Sequence, residues 1–296
     1  MAMRPRTLPA GVTPVVLGSV LAWREGLFTW PATALCLGFA VLVQIGTNFA
    51  NDYFDYVKGA DTPNRVGPTR AVAAGLIQPA TMLRATVGVL AAAVGIGCGL
   101  IPYGGWGLIG IGIVSVLCAV GYTGGRYPLA YLGLGDIFVF IFFGPVAVGF
   151  TFFVHTSYFS IEALGAGLGV GALAMNILVV NNLRDRETDR SCGKRTLAVR
   201  FGRRCALVQY QVGLSVAIGA YLFLWAPSPY SIGIRDTVLI VSGLILLAEH
   251  WRLSRRLVKA VEGPPIGHTF NAILSGTARF LALYGLGVSM GLLVSI

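Results

Sequence analysis

Charge is scarce in this sequence. Of its 296 residues only 11% are Asp, Glu, Lys or Arg, whereas 55% are apolar. Ordinary globular domains carry roughly 25% charged residues. A water-facing surface cannot be covered with so few, so a soluble globule is excluded and lipid must cover much of the chain. Histidine is rarer still: His155, His250 and His268 are the three in the chain, scattered along it. The five cysteines (Cys36, Cys98, Cys118, Cys192, Cys205) form no C-x-x-C pair and no Cys/His cluster, which excludes a zinc site and a disulfide framework. Three of them fall inside apolar runs and read as small packing residues. Acid is the scarcer sign, with 12 Asp plus Glu against 22 Lys plus Arg and a net charge of +10. In a soluble chain that excess would suggest nucleic acid. Here the bases sit in short connections between apolar runs, so no nucleic-acid partner is expected. The positive charge serves an anionic membrane surface or an anionic substrate.

What is abundant is the apolar run. A helical span needs about 20 apolar residues. Nine candidates lie at about 8–23, 31–50, 80–101, 106–122, 134–154, 160–181, 206–225, 234–250 and 270–295. They are continuous rather than alternating, so helices are expected, not barrel strands. The 40 glycines suit close helix–helix approach in lipid. Leu8 onward reads as a retained first span rather than a removed signal peptide. Threading nine spans puts 19 Lys and Arg on the N-terminal face and only Arg24 and Arg235 on the other, with Arg279 inside the last span. That asymmetry predicts a multi-pass protein of the cell membrane whose N-terminus and longer connections are cytoplasmic. Fold class is therefore all-α and polytopic, with one domain over 1–296.

Six of the twelve acids fall in two segments on that same face. The first is NDYFDYVKGAD, with Asn51, Asp52, Asp55 and Asp61; the second is NNLRDRETDRSCGKRTLAVRFG, with Asp185, Glu187 and Asp189. Each contains Asn-x-x-x-Asp, Asn51 to Asp55 and Asn181 to Asp185. Residues four apart share a helix face, where like charges repel unless a cation intervenes. Carboxylates suit Mg²⁺, which takes one or two of them together with water and phosphate oxygens. Two facing pairs would hold a diphosphate between bridging Mg²⁺ ions. The metal set expected is Asn51, Asp52, Asp55, Asp61, Asp185 and Asp189. Interleaved bases (Lys58, Arg65, Arg70, Lys194 and Arg195) are the expected diphosphate contacts, since Arg and Lys neutralise phosphate oxygens that metals leave uncovered. A solvated loop of balanced charges is the plain alternative. A transporter is a second one, but transporters place ionisable groups near the bilayer midplane, and here nearly every acid lies at a span end.

At these residues the chain resembles the UbiA superfamily of intramembrane aromatic prenyltransferases, most closely its branch that prenylates 1,4-dihydroxy-2-naphthoate in menaquinone biosynthesis. The resemblance runs through RPRTLPAGVTPVVLGSVLAW, NDYFDYVKGAD, RVGPTRAV, YTGGRYPLAYLGLGDIFVFIFFGPVAVG and the second acidic segment, roughly residues 4–205. It implies nine helices around a central cavity under a cytoplasmic cap, two Mg²⁺ ions, a polyprenyl diphosphate donor and an aromatic acceptor. No protein partner is implied. It also implies catalytic roles for Asp55, Asp185, Lys194 and Tyr122, and an apolar groove for the prenyl tail. The 4-hydroxybenzoate, homogentisate and haem acceptors of sister branches stay open. Tyr53, Phe54, Tyr56, Tyr122 and Phe138 are candidates to face an allylic cation. Asp136, opening the fifth span after Gly135, reads as a helix-start cap, with an acceptor contact as the alternative. Arg279 needs a partner inside the last span, and Asp136 is one possibility.

Overall fold

The computed structural model describes every residue except 1, 62–66, 68, 226–232, 265, 266, 295 and 296, and the side chains of Arg6 and Arg235 are likewise set aside. Among the described residues there is no strand. The helices are α1 (Leu8–Arg24), α2 (Trp30–Val57), α3 (Pro79–Cys98), α4 (Ile101–Gly104), α5 (Gly107–Gly121), α6 (Leu129–Leu132), α7 (Gly135–Ile141), α8 (Ala147–Thr156), α9 (Ile161–Arg184), α10 (Arg186–Ser191), α11 (Leu197–Leu224), α12 (Ile234–Glu262) and α13 (Gly267–Leu293). Seven helical runs among them are long and apolar enough to cross a membrane, with α7 and α8 counted as one; α1 and α5 are shorter apolar helices. Those nine rods occupy the nine expected places. This is a multi-pass membrane protein.

Three helices run well past their apolar cores on the acidic-segment face. α2 continues to Val57, so Asn51, Asp52 and Asp55 stand on a helix. α11 starts at Leu197, nine residues before the expected boundary, because the Thr196 side chain accepts from the Val199 N–H and caps a charged first turn, which Gly202 (φ 85°) then kinks away from the apolar rod. α12 continues to Glu262 through a basic stretch. Hydropathy finds where lipid ends; it does not find where hydrogen bonding ends.

α9 is the central post, with 72% of its apolar window buried against 17% for that of α12. Its glycines explain the fit. Between α7 and α8 the chain breaks at Phe142–Val146, where Pro145 supplies no N–H and Gly144 has non-helical angles. That break presses into α9: a Cβ on Gly171 would lie 2.3 Å from the Phe140 carbonyl oxygen, and one on Gly144 2.5 Å from that of Gly167. Some polar side chains of the helical core pair across helices. The Asn176 amide donates to the Tyr210 carbonyl at 2.9 Å, and the Tyr210 and Thr277 hydroxyls are 2.7 Å apart. Arg279 pairs with Glu249 at 2.8 Å, not with Asp136. Glu249 sits on neighbouring α12, and the sequence carries no sign of which helix would be the neighbour.

Candidate active site

The last turns of α2 and the end of α9 bring the two acidic segments to one mouth. Asp55, 1% exposed, is the hub. Arg70 reaches its Oδ2 at 2.9 Å, while Lys194 approaches Oδ1 at 3.0 Å. The Tyr131 hydroxyl donates to the same Oδ1 at 3.3 Å. Lys194 also stands 4.0 Å from Asp189, so one ammonium links the two segments. Opposite, Asp185 follows the end of α9 and is forked by the guanidinium of Arg184, two contacts of 2.7 Å each. Arg184 also donates to Asn181 at 2.6 Å and Asn271 at 2.8 Å, which fixes its plane. A planar fork held on four acceptors orients a carboxylate far better than an ammonium would.

The short helix α6 closes this arrangement. Gly133 ends it in a left-handed conformation (φ 75°), and a Cβ there would lie 2.5 Å from the Arg195 carbonyl oxygen. Only glycine lets the two segments meet so closely. The Arg195 N–H then donates to the Tyr131 carbonyl at 3.0 Å. Tyr131 lies under two ammonium groups, Lys58 at 4.6 Å and Lys194 at 5.1 Å from its ring centre. Burial first, then the charge of Asp55 and the hydrogen bond to it, push the Tyr131 phenol up, so it stays a donor at neutral pH.

Not every expected ligand faces the same space. Asn51, Asp55, Asp185, Asp189, Arg70, Lys194 and Tyr122 all line one cavity of about 400 Å³. Asp52 does not. Both its oxygens accept backbone N–H groups, from Ala71 and Val72, at 3.1 Å each. It therefore anchors the turn that carries Arg70 and does not line the cavity where Asn51, Asp55, Asp185 and Asp189 meet. Asp61 likewise stays off the cavity and pairs with Arg70 at 3.4 Å. Lys58 donates to the Thr123 carbonyl at 2.6 Å, which ties the YTGG element to α2. The Arg195 side chain is exposed and off the cavity. Arg65 lies outside the described residues. Of the expected aromatic faces, Tyr122 and Phe138 line the cavity. Phe54 instead packs on Gly124, Tyr53 joins the cluster of Ala71, Val72 and Met82, and Tyr56 is exposed. Sequence reasoning missed Tyr131 and Arg184 as orienting groups. Tyr131 lay in a quoted segment, and Arg184 precedes an acid directly; neither spacing distinguishes them from their neighbours.

Below the polar mouth the lining turns apolar, through Phe39, Val43, Phe142 and Phe150 to Leu100, Leu108 and Val154. The cavity thus pairs a charged end with a long oily one. Asn51, Asp55, Asp185 and Asp189 give its mouth an all-oxygen donor set that suits Mg²⁺. No group of three or more His, Cys, Asp or Glu is placed to hold an ion among the described residues. Such a mouth fits a metal shared with a ligand that brings its own oxygens. Arg70 agrees with that fit: its Nη1, buried at the cavity, has no hydrogen-bond partner among the described residues.

The profile of the UbiA prenyltransferase family matches residues 12–265. This chain belongs to the UbiA prenyltransferase family. Among its relatives is the 1,4-dihydroxy-2-naphthoate octaprenyltransferase of Mycobacterium tuberculosis, 40% identical over 77% of this chain and 78% of the relative. The fold is that of a solved UbiA homolog from Aeropyrum pernix, with a TM-score of 0.68 at 14% identity over 97% of each chain. It is also that of a UbiA homolog from Archaeoglobus fulgidus bound to DMAPP and Mg²⁺, with a TM-score of 0.58 at 15% identity over 96% of this chain and 98% of that one. As a UbiA-family prenyltransferase, the protein is an all-helical membrane enzyme, and the sequence expectation of fold and family holds.

Proposed function

We propose that this UbiA-family protein transfers a polyprenyl group from polyprenyl diphosphate to 1,4-dihydroxy-2-naphthoate, releasing diphosphate and CO₂ and giving a demethylmenaquinol. The observation that carries the reading is the single cavity with Asp55, Asp185, Asp189, Arg70 and Lys194 at one end and an apolar bore at the other. A diphosphate matches the first and a prenyl chain the second. The Mycobacterium tuberculosis relative supports the choice of acceptor, and the Mg²⁺- and DMAPP-bound homolog supports the choice of metal and donor.

Asn51, Asp55, Asp185 and Asp189 would hold Mg²⁺, two ions in all, and the metal would supply Lewis-acid stabilisation of the diphosphate leaving group. Arg70 and Lys194 place fixed positive charge where the departing oxygens gain theirs. Tyr131 and Arg184 keep Asp55 and Asp185 in position. Tyr122 and Phe138 offer ring faces to an allylic cation, each worth about 0.5–2 kcal/mol, and the apolar lining keeps water from capturing it. The whole chain acts as one domain in the cell membrane, with this mouth on the cytoplasmic side, where the basic connections lie.

Mass spectrometry of lipids made by membranes given polyprenyl diphosphate, Mg²⁺ and separate aromatic acceptors tests this. The expected product is the prenylated, decarboxylated naphthoate. Product with 4-hydroxybenzoate or homogentisate but none with the naphthoate would move the protein to a sister branch.

A further inference from the structure

Among the acids that line the cavity, Asp136 is the one that diphosphate chemistry does not use. It stands in the first turn of α7, whose N-cap position is held by Leu134. It is 2% exposed and lines the same cavity as Asp55 and Asp185. Gln209 lies against its carboxylate. Its Oδ1 has no hydrogen-bond partner among the described residues. A buried carboxylate oxygen without a donor is unfavourable, and a ligand hydroxyl arriving in the cavity would supply the donor. Tyr122 stands beside it: a Cβ on neighbouring Gly135 would lie 3.0 Å from the Tyr122 hydroxyl oxygen. Tyr122, Asp55 and Asp136 all line this cavity. One ring therefore sits between the donor's charged end and this unused acid.

We infer that Asp136 receives a ring hydroxyl of the aromatic acceptor and takes its proton as the ring attacks the prenyl group. The inference rests on the aromatic-acceptor function proposed above. The electrons balance as follows. The C–O bond to diphosphate breaks with its pair, and ring π electrons form the new C–C bond to prenyl C1. The O–H pair of the acceptor becomes the second bond of a ketone, and the proton moves to the Asp136 carboxylate. Where the attacked carbon carries a carboxylate, loss of CO₂ leaves an enolate, which regains that proton and resets Asp136. A base so placed acts on the acceptor alone, since the diphosphate is held by other groups.

Asp136→Asn keeps the shape and removes the base. With geranyl diphosphate and Mg²⁺ as the probe, the variant is expected to bind donor like the wild type. Its kcat/KM for the acceptor is expected to fall on the order of 10²-fold or more, with partial recovery in Asp136→Glu. An acceptor fluorinated so that its hydroxyl is already ionised at the assay pH should narrow the gap between variant and wild type. Acceptor kcat/KM within a few-fold of wild type in Asp136→Asn overturns the inference. Loss of donor binding in that variant also overturns it, because Asp136 would then support the fold rather than the acceptor. A wild-type protein that prenylates no aromatic acceptor refutes the proposed function itself, so the two failures are told apart.

Discussion

Asp52 and Asp55 are three residues apart on one helix and do opposite work. Asp52 holds the Ala71 and Val72 N–H groups, and removing it strands two buried donors at about 1–3 kcal/mol each. Asp52→Ala should therefore lower the unfolding temperature in detergent, and activity should fall with it because Arg70 adjoins that turn. Asp55→Ala should abolish turnover while leaving membrane insertion intact. Arg70 keeps Asp61 and Lys194 keeps Asp189 when Asp55 is gone. Near-normal product formation by purified Asp55→Ala would sink the site assignment. Tyr131→Phe removes a hydrogen bond to a charged group, worth roughly 1.5–3 kcal/mol, but leaves the ring beneath Lys58 and Lys194. Steady-state kinetics should show weaker turnover without loss of fold. Spacing in the sequence put Asn51, Asp52 and Asp55 on one stretch of helix. It did not say which acids open onto the cavity, because that depends on where the segment after α2 folds back.

At the scale of the element, the break between α7 and α8 shapes the cavity wall. Phe138, Phe142 and Val146 line the cavity from that stretch, and its backbone is seated against glycines of α9. Gly171→Ala would push a methyl into the Phe140 carbonyl, a backbone atom with no freedom to yield. Overpacking of this kind costs typically about 1–3 kcal/mol, so a lower unfolding temperature in detergent is expected. An unchanged value would mean that α9 and the break separate without cost. The glycine abundance announced close packing, but only the contact identifies which glycines carry it. Gly88, Gly95 and Gly110 would meet nothing within 4 Å, and substitution there should be tolerated. Helix boundaries show the same division. The apolar cores were legible, whereas the polar extensions of α2 and α12 were not, since hydrogen bonding continues where hydropathy stops.

For the whole molecule, the cavity is the feature with the largest consequence. Its apolar end is lined by Val15, Cys36, Leu100, Leu108 and Val154, five residues of one packed cluster drawn from α1, α2, α5, α8 and the turn between α3 and α4. If that end stops the prenyl chain, Cys36→Phe should shorten the donors accepted. Competing geranyl and longer polyprenyl diphosphates, with products sorted by mass, should show long chains excluded and geranyl still used. An unchanged product distribution would place the end of the chain elsewhere, for instance out among the lipids. Cys36 reads from the sequence as plain packing, and it does pack; its place at the cavity end is a tertiary fact.

The sequence by itself determined that this protein lives in lipid, that it crosses it about nine times, and that two acidic segments share one face. Composition, hydropathy and the charge asymmetry are additive along a chain, so each survives without coordinates. Family resemblance added the chemistry. Only the tertiary structure decided that Asp52 is an anchor and Asp55 a hub, that Arg184 and Tyr131 orient the acids, and that Asp136 shares their cavity. Those roles depend on which groups from distant segments come within about 3 Å, and no pattern along one chain records that distance.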